Sequence, residues 1–343
     1  VLFRSNHMFN RLLIGAAALS LAATMAFGVQ GAKFYIGDGD KEKVFMDMVN
    51  NKISTIGYVL SDPHERINDA YKTKWGTEYK EEKGVKVKHP DFDPTFKETL
   101  DNLGFFSITN DKVVGPLLMK EPALGGFSPF NLHIWKKMGE DKTYVGHVDP
   151  ATMLDIVGVK DADVRAKFIA SFIPLDKMVS EEIGSKVQTV DYKALPAKPM
   201  MTFEFPVDRA ESLDAFISDF QGKFEEKFEA NHYIIAGYKD IKGSMTDNNV
   251  EFGRFDAYWV YSLCHFRFSE GIFNNGRPDA GAFAPCSMYM YVEKGSNKLM
   301  VGMPRLENWI AVMGIKDPKM VDSIHNLDKE IIGIMTGLGG KEL

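Results

Sequence analysis

Two cysteines in 343 residues cannot make a disulfide-rich scaffold, although they suffice for one bridge. Their separation, Cys264 to Cys286, is far too long for a CxxC redox motif, and no CxxCH attaches a haem. Basic charge is not in surplus. With 41 Lys+Arg against 47 Asp+Glu the net charge is -6, so nothing drives general nucleic-acid binding by phosphate neutralisation. HExxH, GxxxxGK[ST] and GxSxG are absent, and His64, His89, His133, His232 and His325 show no ligand-cluster spacing. After Met25 no apolar run is long enough to span a membrane. What is present is 45% hydrophobic and 26% charged residues, the proportions of a globular chain with a sizeable core. The length suits two domains.

The N-terminal residues read as an address. Met8 is the first plausible initiator, so Val1–His7 is treated as upstream sequence. Arg11 supplies a positive start, Leu12–Met25 is apolar or small, and Ala26-Phe27-Gly28 presents small residues for a cut after Gly28. Val29-Gln30-Gly31 offers a second site. The expectation is a cleaved secretory leader and a periplasmic or secreted protein without a membrane span.

The chain also repeats itself. Displaced by 156, residues 125–184 fall on 281–340 without a gap. Gly125, Phe127 and Pro129 fall on Gly281, Phe283 and Pro285; Gly139 falls on Gly295, and Gly158-Val159-Lys160-Asp161 on Gly314-Ile315-Lys316-Asp317. Upstream the best match moves to an offset of 180, setting Ile56-Gly57-Tyr58 on Ala236-Gly237-Tyr238. The extra length of the first copy is placed in the polar stretch Asp62–Asp93, read as a surface excursion. The domains expected are upstream sequence and leader at 1–31, a divergent repeat at 32–185, a linker at 186–199 and a second repeat at 200–343.

In the second copy, Met201–Phe205 alternates as a strand does. Leu213, Phe216, Ile217, Phe220, Phe224 and Phe228 recur at helical spacing, with Asp208 as the expected N-cap. Strands follow at Tyr233–Ile241, Phe255–Cys264, Ser287–Glu293 and Lys298–Met303, and Asp317-Pro318 opens a last helix. The order β-α-β-β-β-β-α lacks helical crossovers between strands. It predicts an α+β domain, an antiparallel sheet with helices packed on one face. The first copy reads alike, with Pro174 expected to kink or break its last helix.

Cys264-His265-Phe266, the run Phe283-Ala284-Pro285-Cys286-Ser287-Met288-Tyr289-Met290-Tyr291 and the return Val301-Gly302-Met303-Pro304 resemble the bacterial family called domain of unknown function 302. The resemblance covers Met201–Gly340; the first half joins it only through the repeat, with Phe130 where Cys286 stands. It implies a TBP-like β-α-β(4)-α fold. Because that family's members are dimers of unknown activity, it also implies two copies packed as a pseudo-dimer.

Cys264 and Cys286 are the candidate site, as a structural disulfide, two buried free thiols, or a redox or metal pair with His265 nearby. Met288, Met290 and Met303 add soft ligands that invite a Cu(I) hypothesis, against the simpler reading of core filling; His147 falls at the place of Met303. Phe255, Trp259, Tyr261, Tyr289 and Tyr291 make a large apolar surface for the core or for packing between copies. No catalytic residue, resident metal or cofactor is assigned. The function expected is a non-enzymatic binding module for an unknown small molecule or protein. A thiol-dependent redox or soft-metal protein, or a structural or assembly protein, are the alternatives.

Overall fold

A computed structural model describes residues 28–343; the expected leader lies outside the described residues. It is an α+β molecule in two parts, each built on a six-stranded antiparallel sheet. The first part runs β1 (Val29–Asp38), α1 (Glu42–Asp47), β2 (Val59–His64), α2 (Ile67–Tyr71), β3 (Tyr79–Glu82), β4 (Val85–Lys88), β5 (Leu100–Thr109) and α3 (Asp111–Lys120). It continues with β6 (Phe130–Lys137), β7 (Lys142–Val148), α4 (Pro150–Val157), α5 (Ala162–Glu182) and β8 (Lys186–Tyr192). The second part has β9 (Met200–Pro206), α6 (Leu213–Ala230), β10 (Tyr233–Asp240), α7 (Ile241–Asp247), β11 (Phe255–His265) and α8 (Phe266–Phe273). Then come β12 (Cys286–Glu293), β13 (Lys298–Pro304), α9 (Glu307–Met313), α10 (Pro318–Gly337) and β14 (Lys341–Glu342).

The sheets have the orders β2-β5-β6-β7-β1-β8 and β10-β11-β12-β13-β9-β14. Position for position these are the same order. Hairpin turns 156 residues apart close on Gly139 and Gly295, each at a positive φ (75° and 72°) that a side chain would strain. Matching 3-10 turns at Pro122–Phe127 and Pro278–Phe283 precede β6 and β12.

Side-chain alternation gives each sheet two uses. On β5, Phe106 packs on Phe45 of α1, while its neighbour Phe105 stacks on His133 and meets Phe273 of the other part. On β11, Tyr261 stacks on Phe224 of α6, and Tyr258 donates to the Pro122 carbonyl of the other part. One face of each sheet is thus covered by its own helices and the other by the other part. Gly125 lodges against Tyr258 and Tyr289, and Gly281 against His133 and Phe105; in both places a Cβ would collide. Since Gly125 and Gly281, and His133 and Tyr289, are each related by the repeat offset, the contact between the parts is reciprocal, as in a two-fold dimer.

Several expectations change. The stretch read as a linker, 186–199, supplies β8, which pairs along β1. The match at offset 180 is displaced: Leu60 pairs with Ile108 and Ile235 with Leu263, each just before a bulge, so position 60 corresponds to 235, an offset of 175. The N-cap of α6 is Ser212, whose hydroxyl accepts from the Ala215 N–H; Asp208 caps a turn through Ala210 instead. Helix α5 continues through Pro174, and Tyr58 donates its hydroxyl to the Ser171 carbonyl at 2.8 Å in the turn the proline disturbs. The polar excursion is anchored rather than free, because Tyr71 is fully buried, hydrogen-bonds Ser269 and packs on Phe266 together with Trp75.

Candidate functional site

Cys264 lies one residue before the end of β11 and Cys286 opens the adjacent β12; of the three states expected for them the bridge is not formed, and both are free thiols. Register is the physical reason. The Cα partner of Cys286 is Leu263, so alternation turns Cys264 toward the opposite face of the sheet. The two residues meet one small cavity of about 20 Å³ from different sides. Its walls are otherwise mostly apolar, including Leu263, Pro285, Leu306, Trp309, Leu327 and Ile331. Burial pushes the Cys264 thiol up to about 11, and burial raises Cys286 further, so both stay protonated near neutral pH. The corresponding positions of the first half hold Thr109 and Phe130, and Phe130 packs on Phe172 at 4.6 Å. There the place is filled; here a void remains.

The soft-ligand expectation finds little support in the geometry. Met288, Met290 and Met303 are fully buried core residues and do not line the cavity. Among the described residues no three His, Cys, Asp or Glu side chains converge as a metal site. His147, at the place of Met303, is instead held in a charged cluster. Its Nε2 meets Asp176 at 2.7 Å, its Nδ1 meets the Val148 carbonyl at 2.7 Å, and Lys33 reaches the same Asp176 at 3.2 Å.

His265 was placed beside the cysteines by sequence, and the structure gives it a definite task. Its Nδ1 accepts the Phe268 N–H at 3.2 Å and caps α8. A neutral ring then carries its proton on Nε2. Burial lowers its pKa, so neutral is its form at physiological pH. The ring meets Tyr233 edge-on at 5.1 Å. The Tyr233 hydroxyl is buried without a hydrogen-bond partner. Asp328 braces Leu306, another residue of the cavity wall. It accepts the Leu306 and Glu307 N–H groups at the start of α9, and burial pushes its pKa up to about 6.

Beyond His265, Phe268 and Leu327 the cavity gives way to an open cleft of about 760 Å³ between α8 and α10. Arg267, Asn275, Lys319, Ser323, Asn326 and Glu330 supply polar groups over a floor that includes Phe268, Ile272 and Met320. Sequence reasoning missed this cleft, because α8 lies in a run left unassigned between two strands. The only signal was the break in alternation after His265.

The first half has its own groove in the same place, between α3 and α5, of about 480 Å³. Lining positions correspond: Leu117 and Ile272, in register with the N-caps Asn110 and His265 of their helices, and at the offset of 156 Asp163 and Lys319, Lys167 and Ser323, Ala170 and Asn326. The chemistry differs, since lysines Lys112, Lys120 and Lys167 edge the first groove.

No protein-family model and no curated protein matches the sequence. Among solved structures, an uncharacterized conserved protein DUF302 from Bacillus stearothermophilus is similar over 41% of this chain and 98% of its own, at 13% identity and a TM-score of 0.33. An aspartate kinase from Synechocystis aligns over 88% of this chain and 55% of its own, at 11% identity and a TM-score of 0.11. At these scores neither likeness bears on function.

Proposed function

We propose that this chain is an exported, non-enzymatic binding module that takes a small molecule in the cleft between α8 and α10. The observation that carries the reading is the groove itself. It occurs twice at corresponding positions, and in the second half varied polar groups line it beside the partly empty chamber of Cys264 and Cys286. Sites of this size, with an apolar floor and a few convergent polar groups, are where small ligands bind. The two halves are read as copies of one ancestral unit, supported by their equal strand orders and by the offset of 156 kept without a gap over residues 125–184. Export rests on the leader pattern. A cut after Gly28 would leave β1 whole from Val29, whereas a cut after Gly31 would remove its first pairings with Tyr192 and Asp191.

Native mass spectrometry of freshly purified protein tests the binding reading. A copurifying molecule lost in an Asn326→Trp variant, which would fill the cleft, is the expected outcome. If the protein arrives bare and no metabolite set raises its melting temperature, the reading fails and a structural or assembly role takes its place. A second reading, thiol-dependent redox or soft-metal handling, is favoured by one observation, the cavity that Cys264 and Cys286 share. Intact mass before and after alkylation, with metal analysis, separates it. Thiols that are bridged and hard to reduce, with no bound metal, count against it.

A further inference from the structure

Tyr233 is 4% exposed and lines the 20 Å³ cavity, and its buried hydroxyl has no hydrogen-bond partner. Such an orphan costs stability unless something completes it. Beside it the neutral His265 ring presents Nε2–H, its other nitrogen being committed to the Phe268 N–H. Two residues able to donate a hydrogen bond, Tyr233 and His265, therefore line a space large enough for about one oxygen atom. That space adjoins the cleft across the shared residues His265, Phe268 and Leu327. The charge nearby is negative: Glu330, within reach as an acceptor for the Tyr233 hydroxyl although no bond of good geometry is formed, and Asp328 both disfavour its ionisation. A carboxylate entering here would be repelled, whereas an uncharged carbonyl oxygen would accept both hydrogen bonds. The apolar floor of the cleft suits a hydrocarbon or aromatic body behind that oxygen.

We infer that Tyr233 and His265 form the recognition end of the cleft, donating to the carbonyl oxygen of a small uncharged ligand such as an amide or ketone. This rests on the binding reading above and names the ligand class it would take. The fit is specific to the second half. In the first half Phe130 and Phe172 pack together near Tyr58, whose hydroxyl is already committed to Ser171.

Matched aromatic probes test the inference: benzamide and acetophenone against benzoate and toluene, followed by ligand-observed NMR and thermal melting of the full chain. Benzamide and acetophenone are expected to bind at one site, at least tenfold more tightly than the other two. Tyr233→Phe should raise the melting temperature, since it removes an unsatisfied hydroxyl, and weaken benzamide at least tenfold. Tyr261→Phe is the control, because that hydroxyl already donates to Glu225 at 2.6 Å; it should not raise the melting temperature or alter binding. Equal binding of benzoate, unchanged binding by Tyr233→Phe, or a fall in that variant's melting temperature overturns the inference, the last because a resident water or Glu330 then completes the hydroxyl. If a copurifying molecule is displaced by Asn326→Trp yet indifferent to Tyr233→Phe, the cleft stands and only the carbonyl recognition falls.

Discussion

His147 is fully buried, yet both ring nitrogens face acceptors, the Asp176 carboxylate and the Val148 carbonyl. A neutral imidazole can donate from only one nitrogen, so this setting calls for the charged ring. Burial works against that charge, but Asp176 outweighs it and the His147 pKa is raised; Asp176 in turn is lowered despite burial, chiefly by His147 and then Lys33. The signs follow from linkage. The histidine's contribution is full below about pH 6.5, its unfolded value, and fades as pH rises through the folded one. The aspartate's contribution is present above about pH 4 and is lost on acidification. Urea denaturation across this range should therefore show stability declining once the pH rises past about 6.5. His147→Met, which copies the residue of the second half, should abolish that decline. A wild-type curve flat through neutrality would count against the charged ring. The sequence offered only the pairing of His147 with Met303. Its partner Asp176 comes from a helix distant along the chain, and no spacing rule connects the two.

At the scale of elements, periodicity placed most strands and the long helices, because burial of one face imposes it directly. Helix ends were less legible. Asp208 and Ser212 are both good capping residues, and only the chain's path decides between them. Ser212→Ala should lower stability by about 1 kcal/mol. Asp208→Ala should change it by less than about 0.5 kcal/mol. Thermal melting of the two variants separates the assignments, and the reverse ranking would restore the earlier one. Short helices escaped altogether: α3, α4, α7, α8 and α9 have ten residues or fewer, too few turns for a clear apolar stripe. The cleft depends on one of them. The relation of Cys264 to Cys286 failed for a similar reason: both strands were placed, but a one-residue difference in register sends a side chain to the other face.

Across the whole molecule, the two parts are joined by polar contacts as well as aromatic packing. Lys239 of β10 reaches Asp111 of α3 at 3.1 Å, with side-chain exposures of 10% and 6%. Neither residue has periodicity or motif to announce it. Removing one partner of a buried pair leaves an uncompensated charge, so Lys239→Met should destabilise by about 3–5 kcal/mol. Adding Asp111→Leu should recover most of that loss, because two apolar groups can replace a buried pair at little net change. If the double variant is no better than the single one, the pair is not a closed unit. Equilibrium unfolding in urea reports both.

By itself the sequence determined the class of fold, the strand-helix order and the internal offset of 156. Each is written in local patterns: alternation, helical spacing, and Gly and Pro at turns. The tertiary structure alone decided which faces meet. It turned the two cysteines apart and brought α8 beside α10 to make a cleft. It also enclosed the Tyr233 hydroxyl without a partner. Register and packing between distant segments settle such matters, and neither leaves a periodic trace along the chain.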